Sequence, residues 1–440
     1  MNVYTGIDLG STTTKAVILT EDGRILGRGI TNSRSDYEVA SKIVREEAYV
    51  RARFTLASDR LRSDSSMGDL ETKFLPALER NFRYRQHLEQ LDRLREAMHF
   101  ITSGHRHDQW RGELTELLDD IVDEMVEKAK EHYAEGASRK SDFFRDIAAA
   151  DYMHLAEERS DPKGISFEVL CGVFDAAILT VENSMTEGAF DRHIGSAAEA
   201  TLDDASAEIR RHAERLRLAV EETRSIDLDE IASVGTGYGR ARLPFPKEQI
   251  RSEILCHGLG AHSMFPSTRT VLDIGGQDTK AIQVDEDGIV TNFQMNDRCA
   301  AGCGRYLGYI ADELNLGLHE LGPLAQQATA RVKISSTCTV FAGAELRDRL
   351  SLGQKREDIL AGLHRAIMLR AMSLLARSGG VEDEFTFTGG VARNAAAVGA
   401  LEELVNDNYG ERTFNISADS IYTGALGAAI FASRTNGRAA

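Results

Sequence analysis

The sequence predicts an α/β chain in which one strand–turn–strand unit occurs twice, on either side of a long helical insertion. Three observations predict it: a gapless internal repeat, a change of hydrophobic period between the two copies, and a return of strand–helix alternation afterwards. Residues 8–23, DLGSTTTKAVILTEDG, align without a gap on residues 273–288, DIGGQDTKAIQVDEDG. That register superimposes Asp8 on Asp273, Gly10 on Gly275, Lys15 on Lys280 and Gly23 on Gly288. Each copy reads as two apolar strands, Val3–Leu9 with Lys15–Thr20 and Thr270–Ile274 with Lys280–Val284, followed by the Asp-Gly pair of a tight hairpin turn.

Between the copies, residues 36–225 are charged and helical in period. Stretches such as LEQLDRLREAMHF and LTELLDDIVDEMVEKA place apolar residues three and four apart. After them a strand at Ile231–Val234, a helix near Lys247–Gly258 and the second repeat follow. Helices beginning near Cys299 and Cys338 and at Arg356–Ser378, a strand Phe385–Thr388 and a C-terminal helix complete the pattern. A chain of 440 residues exceeds the roughly 250–300 at which one core stops growing. The organisation expected is residues 1–44 and 181–265 as a first domain, 45–180 as the insertion, and 266–424 as a second domain, with 425–440 returning to the first.

The formal net charge of −17 disfavours nucleic acid and anionic membrane surfaces as partners. The opening residues enter a strand pattern at once, with no basic segment leading into a long apolar run. A cytoplasmic protein is expected, and five cysteines in such a chain point to metal binding, catalysis or burial rather than disulfides.

Turns rich in Gly, Ser and Thr gather backbone N–H groups and hydroxyls into one concave place that suits phosphate oxygens. Gly10, Ser11, Thr12 and Thr13 form the first such turn; Gly275 and Gly276 open the second. Asp8 and Asp273, at the strand ends, can hold magnesium directly or through water. Lys15 can neutralise phosphate charge. Where the first copy has Ser11-Thr12-Thr13 the second has Gly276-Gln277-Asp278. An amide and a carboxylate are the groups that orient an attacking water, so Gln277 and Asp278 join Asp8 and Asp273 as catalytic candidates. Neither turn runs from glycines through Lys-Ser/Thr into a helix, which disfavours a P-loop. Gly389, Gly390, Arg393 and Asn394, in TGGVARN after a buried strand, are the expected adenosine contacts.

Cys299, in NDRCAAGCGR, and Cys338, in SSTC, each precede a helical run whose N-terminus would stabilise a thiolate or an anionic cluster. A four-iron cluster takes four thiolates, so two ligands per chain imply a second, similar chain. Cys303, four residues after Cys299, is either a rival third ligand or a buried thiol.

With these runs, and with GTGYGR, EILCHGLGA and TGALGAA, the sequence resembles the BadF/BadG/BcrA/BcrD ATPase family: the activators of 2-hydroxyacyl-CoA dehydratases and the nucleotide-binding subunits of benzoyl-CoA reductase. The resemblance covers residues 1–35 and about 225–435. It implies duplicated actin/hexokinase-like ATPase domains of the acetate kinase/Hsp70/actin superfamily. It also implies ATP with Mg2+, and a [4Fe-4S] cluster held by Cys299 and Cys338 together with the same cysteines of a partner. ATP hydrolysis would then drive electrons from ferredoxin, one at a time, to a partner enzyme.

The long insertion favours the larger (alpha) nucleotide-binding subunit of an ATP-dependent benzoyl-CoA reductase. Its expected partners are a shorter homologous ATPase subunit in a heterodimer and two further subunits that bind and dearomatise benzoyl-CoA. The alternative is the activator of a 2-hydroxyacyl-CoA dehydratase. From other classes, a small-molecule kinase of the same fold without a metal, or an ATP-dependent scaffold, would account for the turns but not for the cysteines.

Overall fold

A computed structural model describes residues 1–33, 36–64, 67, 69–104, 109–137, 141–161, 164–184, 188–237, 243–296, 304–334 and 339–436. The chain divides into two compact units, one formed by Met1–Ala48 with Leu228–Ala440 and the other by Tyr49–Asp227.

The first unit holds two sheets of matching topology. Strands β1 (Asn2–Leu9), β2 (Thr13–Thr20), β3 (Ile25–Asn32) and β4 (Asp229–Gly237) lie in the order β3-β2-β1-β4. Strands β5 (Thr270–Ile274), β6 (Thr279–Val284), β7 (Val290–Asn296), β8 (Phe385–Thr388) and β9 (Phe414–Ile416) lie in the order β7-β6-β5-β8-β9. In each sheet the first three strands are antiparallel neighbours, and the fourth pairs parallel with the first. The sequence repeat becomes a repeat of register, since Asp8 faces Lys15 across β1 and β2 as Asp273 faces Lys280 across β5 and β6.

Strands β3 and β7 were not anticipated. Both are sheet edges, and an edge needs no continuous apolar run. Two glycines interrupt β3, and Phe293 of β7 is largely exposed. The helix expected near Lys247–Gly258 starts later, as α9 (Glu253–Met264), and is preceded by a short 3-10 turn, Lys247–Gln249.

The insertion contains α2 (Leu70–Thr102), α3 (Arg111–His132), α4 (Phe144–Arg159), α5 (Phe167–Asn183), α6 (Ala189–Asp203), α7 (Ala207–Arg210) and α8 (Ala213–Ser225), entered through α1 (Tyr37–Ser63). The three-and-four spacing does what the sequence led us to expect: Leu114, Leu118, Ile121 and Met125 line one face of α3 and are buried with Leu91, Leu94 and Met98 of α2. A second core gathers Phe54, Phe82 and Phe190, whose ring centroids lie 5.4 to 5.8 Å apart. Residues 181–227, expected in the first domain, belong to this unit instead. Their apolar positions, such as Phe190, Ile194 and Leu216, pack with α1 and α2 rather than with a sheet.

The remaining helices of the first unit are α9 (Glu253–Met264), α10 (Gly304–Glu313), α11 (Leu321–Ala325), α12 (Thr339–Ser351), α13 (Arg356–Ser378), α14 (Ala395–Tyr409) and α15 (Thr423–Asn436). By length and composition α13 could cross a membrane. Its apolar face packs on Phe385, Phe387 and α14 in the core of the second sheet, which accounts for its apolarity. The C-terminal helix α15 covers the first sheet, with Ala425, Ala428 and Ala429 buried against Tyr4, Val17 and Leu19.

α15 crosses α9 at backbone distance. A Cβ on Gly427 would lie 1.9 Å from the Cys256 carbonyl oxygen, and one on Gly260 would lie 1.9 Å from that of Thr423. Backbone cannot yield as a flexible side chain does, so Gly427→Ala is expected to lower the thermal midpoint, at an overpacking cost of roughly 1–3 kcal/mol. Gly172→Ala in α5, where a Cβ meets nothing within 4 Å, is the control and should not lower it. Thermal unfolding of the two variants beside the parent checks both.

Candidate functional site

The β1–β2 and β5–β6 turns lie at matching ends of the two sheets, and they meet. A Cβ on Gly276 would come within 2.1 Å of Thr12 Oγ1. The first turn is braced by Ser33, whose N–H donates to Thr12 O at 2.9 Å and whose hydroxyl donates to Gly10 O at 2.5 Å. The second is braced by α10, whose first two amides donate to it: Gly304 N–H to Gly275 O and Arg305 N–H to Gly276 O, both at 2.8 Å.

The two equivalent lysines have diverged. Lys15 is half-buried and its ammonium donates to Thr13 O at 3.2 Å, so it remains within reach of a ligand at the first turn. Lys280 is buried and pairs with Asp273 Oδ2 at 3.2 Å and Asp278 Oδ2 at 2.8 Å. Burial would lower Lys280, but Asp273, Asp278 and Glu253 overrule it and hold the ammonium above its ordinary range. Burial would likewise raise Asp273, but His257, Lys280 and the Thr388 hydroxyl, which donates to Oδ1 at 2.8 Å, hold it well below the usual carboxylate range.

The candidate carboxylates are therefore not equivalent. Asp273 is saturated by a lysine and a hydroxyl, and Asp278 is tied to the same lysine. Asp8 is also buried, yet among the described residues the one basic group within 4 Å of its carboxylate is His257, with Nε2 3.9 Å from Asp8 Oδ2. Of the three, Asp8 is the one with oxygens to offer a hydrated Mg2+. Gln277 is half-buried and its amide makes no side-chain hydrogen bond among the described residues, which leaves it able to orient a water.

The loop after β8 approaches the same place. Gly389 has φ +87°, and a Cβ there would lie 2.4 Å from Ile274 O and 3.1 Å from Asp273 Oδ1, so glycine is required on both counts. A 3-10 turn, Gly390–Arg393, leads to Asn394, which caps α14 by accepting from the Ala396 and Ala397 amides. Its Nδ2 lies 3.0 Å from His364 Nε2. The Asn394 amide is thus committed within the protein, whereas Gly390 and Arg393 are exposed for a ligand.

Cys299, Cys303 and Cys338 lie outside the described residues, but the helices that follow them are described. Tyr309 of α10 lies against Gly343 of α12, and one turn further on Glu313 pairs with Arg347. Equal steps on both helices make the pair parallel, and in the sequence Cys303 directly precedes α10 and Cys338 directly precedes α12. Two thiolates fit half the donor set of a four-iron cluster. The other two cysteines do not. Burial pushes the Cys256 thiol up to about 12, and Cys171 lies in α5 with its sulfur 3.5 Å from Met153 Sδ.

Sequence reasoning missed Glu253 and His257, both buried on α9. The available signal was a pair of ionisable residues four apart, on one face of an otherwise apolar helical run.

The two sheets of matching topology, with turns that meet at their ends, are the fold of the actin/hexokinase class. The crystal structure of component A of the (R)-2-hydroxyglutaryl-CoA dehydratase of Acidaminococcus fermentans shares the fold, with a TM-score of 0.55 at 24% identity over 99% of this chain and 100% of that one. The chain belongs to the BadF/BadG/BcrA/BcrD ATPase family, whose sequence profile matches residues 5–432. The (R)-2-hydroxyglutaryl-CoA dehydratase activating ATPase of Acidaminococcus fermentans is 46% identical over 204 residues, 46% of this chain and 76% of that protein. One of the benzoyl-CoA reductase subunits of Thauera aromatica is 33% identical over 205 residues, 47% of this chain and 71% of that protein. Likeness thus favours the dehydratase activators over the reductase that the insertion had suggested. The insertion does not weigh against this, because it folds around cores of its own.

Burial is the first cause that raises Glu253 above the ordinary carboxylate range; Lys280 opposes it and Asp278 adds to it. A carboxyl whose folded pKa is raised binds its proton more tightly in the folded state. Its contribution to stability is therefore lost as pH rises through the raised value. Glu253→Gln removes that loss. The variant should melt above the parent at pH 7–8, with the gap closing towards about pH 4, where the unfolded carboxyl also protonates. Thermal melts across pH check it.

Proposed function

We propose that this chain is an ATP-hydrolysing activator that delivers single electrons to a separate enzyme of the 2-hydroxyacyl-CoA dehydratase type. Cys299 and Cys338 would be its share of a [4Fe-4S] cluster completed by a second, similar chain. The observation that carries the reading is the pair of hydrogen bonds from Gly304 and Arg305 to Gly275 and Gly276. A phosphate turn and the helix that follows Cys299 are one hydrogen-bonded piece. The likeness to the dehydratase activating ATPase adds the class of partner.

The residues divide the work. The first turn, Gly10 to Thr13, cradles phosphate oxygens with amides and hydroxyls, and Lys15 offsets their charge. Asp8 holds a hydrated Mg2+, while Gln277 orients a water whose oxygen attacks the terminal phosphorus as the bond to the bridging oxygen breaks. Gly390 and Arg393 border the nucleoside. Asp273 and Asp278, held by Lys280, keep the second turn in register rather than meeting the metal. A shift of Gly275 and Gly276 when that phosphate leaves is passed to α10, and through the parallel packing to α12. When bound, a four-iron cluster supplies reversible one-electron chemistry.

Anaerobic purification with iron and sulfide analysis tests this, and about four irons per two chains are expected. Cys299→Ala and Cys338→Ala should each lose the iron while keeping the parent's thermal midpoint, and should no longer activate a 2-hydroxyacyl-CoA dehydratase in the presence of ATP and a reductant. An iron-free protein that passes phosphate to a small carboxylic acid or sugar would overturn the reading in favour of a kinase.

A further inference from the structure

Helix α9 belongs to both halves of the first unit. Cys256 is buried with Tyr4, Val17, Leu19 and α15 on the side of the first sheet. Ile254 and Ala261 are buried with Val271, Ile282 and Val284 of the second. Between them stands His257, a buried side chain that the division of labour above does not use. Its Nδ1 lies 3.2 Å from Thr423 Oγ1 and 3.5 Å from Asp273 Oδ1, and its Nε2 lies 3.9 Å from Asp8 Oδ2.

The direction of these contacts follows from Thr423. Its hydroxyl donates to Ser420 O at 3.0 Å, so its oxygen accepts and His257 Nδ1–H donates. One edge of the imidazole is thereby anchored on α15, and the other faces Asp8. Gly424 makes room for this, because a Cβ there would lie 2.7 Å from Asp8 Oδ2 and 2.9 Å from His257 Nε2.

We propose that His257 is a positioning residue of the phosphate site, a strut from α9 that sets the spacing of Asp8 and Asp273 across the two sheets. The proposal rests on the reading that Asp8 carries the hydrated Mg2+. Asp273 is also oriented by Lys280 and Thr388, whereas among the described residues the one basic group within 4 Å of the Asp8 carboxylate is His257, whose Nε2 lies 3.9 Å away. Loss of the strut should disturb Asp8 first. A misplacement of about 1 Å at a reacting centre is enough to cost as much as 100-fold in rate.

Two half-mimics separate the arms. The amide nitrogen of His257→Asn takes the place of Nδ1, keeping the Thr423 anchor and losing the edge towards Asp8; that of His257→Gln takes the place of Nε2 and restores this edge. ATP hydrolysis by the full chain is measured against Mg2+ and ATP concentration, beside the thermal midpoint of each variant. His257→Asn should lose about tenfold in kcat and need several-fold more Mg2+, with KM for ATP within about twofold at saturating metal. His257→Gln should stay within about threefold of the parent. Equal losses in both variants that track a lowered thermal midpoint would make His257 a plain core residue and overturn the proposal. So would two variants with the parent's kcat and Mg2+ dependence. A parent chain without ATPase activity would instead defeat the function proposed above.

Discussion

The constraint on which the rest of this structure depends is the burial of Asp273. A carboxylate removed from water must be compensated at close range, and here Lys280, Thr388 and His257 surround it from a neighbouring strand, the parallel strand and the central helix. Each compensating group fixes something else. Lys280 ties down Asp278 and with it the second turn, Thr388 brings the end of β8 and its glycine loop to the site, and His257 orients α9. Breaking one partner would leave a charge stranded in the interior, so the site and the fold are held by the same contacts.

Duplication explains how a chain arrives at such a site, and divergence explains what it does there. Both hairpins carry Asp and Lys as direct cross-strand neighbours. In the first, the lysine stays at the mouth and the aspartate has few partners. In the second, the lysine has turned inward and neutralises two carboxylates. One copy is left electrostatically open and the other is closed upon itself, an asymmetry suited to a ligand that carries several negative charges and a cation.

Much of the fold was legible because its signal is local. The repeat placed β1, β2, β5 and β6 within two residues, and the helical period placed the cores of α2 and α3. The edge strands β3 and β7 escaped because their partners, not their own patterns, make them strands. The boundary near residue 180 failed for a related reason: an amphipathic helix shows in sequence that it has a face to bury, not against what. At the site, the turns and their glycines were readable as types. The burial of Lys280, the capping role of Asn394 and the place of His257 were not, because each depends on residues distant in the chain.

Topology gives the helical unit a further meaning. Strands β3 and β4 are opposite edges of their sheet, and the chain between them is the unit Tyr49–Asp227 with its entry through α1. The same connection in the second sheet, from β7 to β8, carries α10 to α13 and the cysteine segments. A duplicated domain of this kind has two crossovers open to lengthening without cutting a strand. In this chain one crossover carries α10 to α13 and the other a unit that buries cores of its own, so length has been added to the connections and not to the sheets.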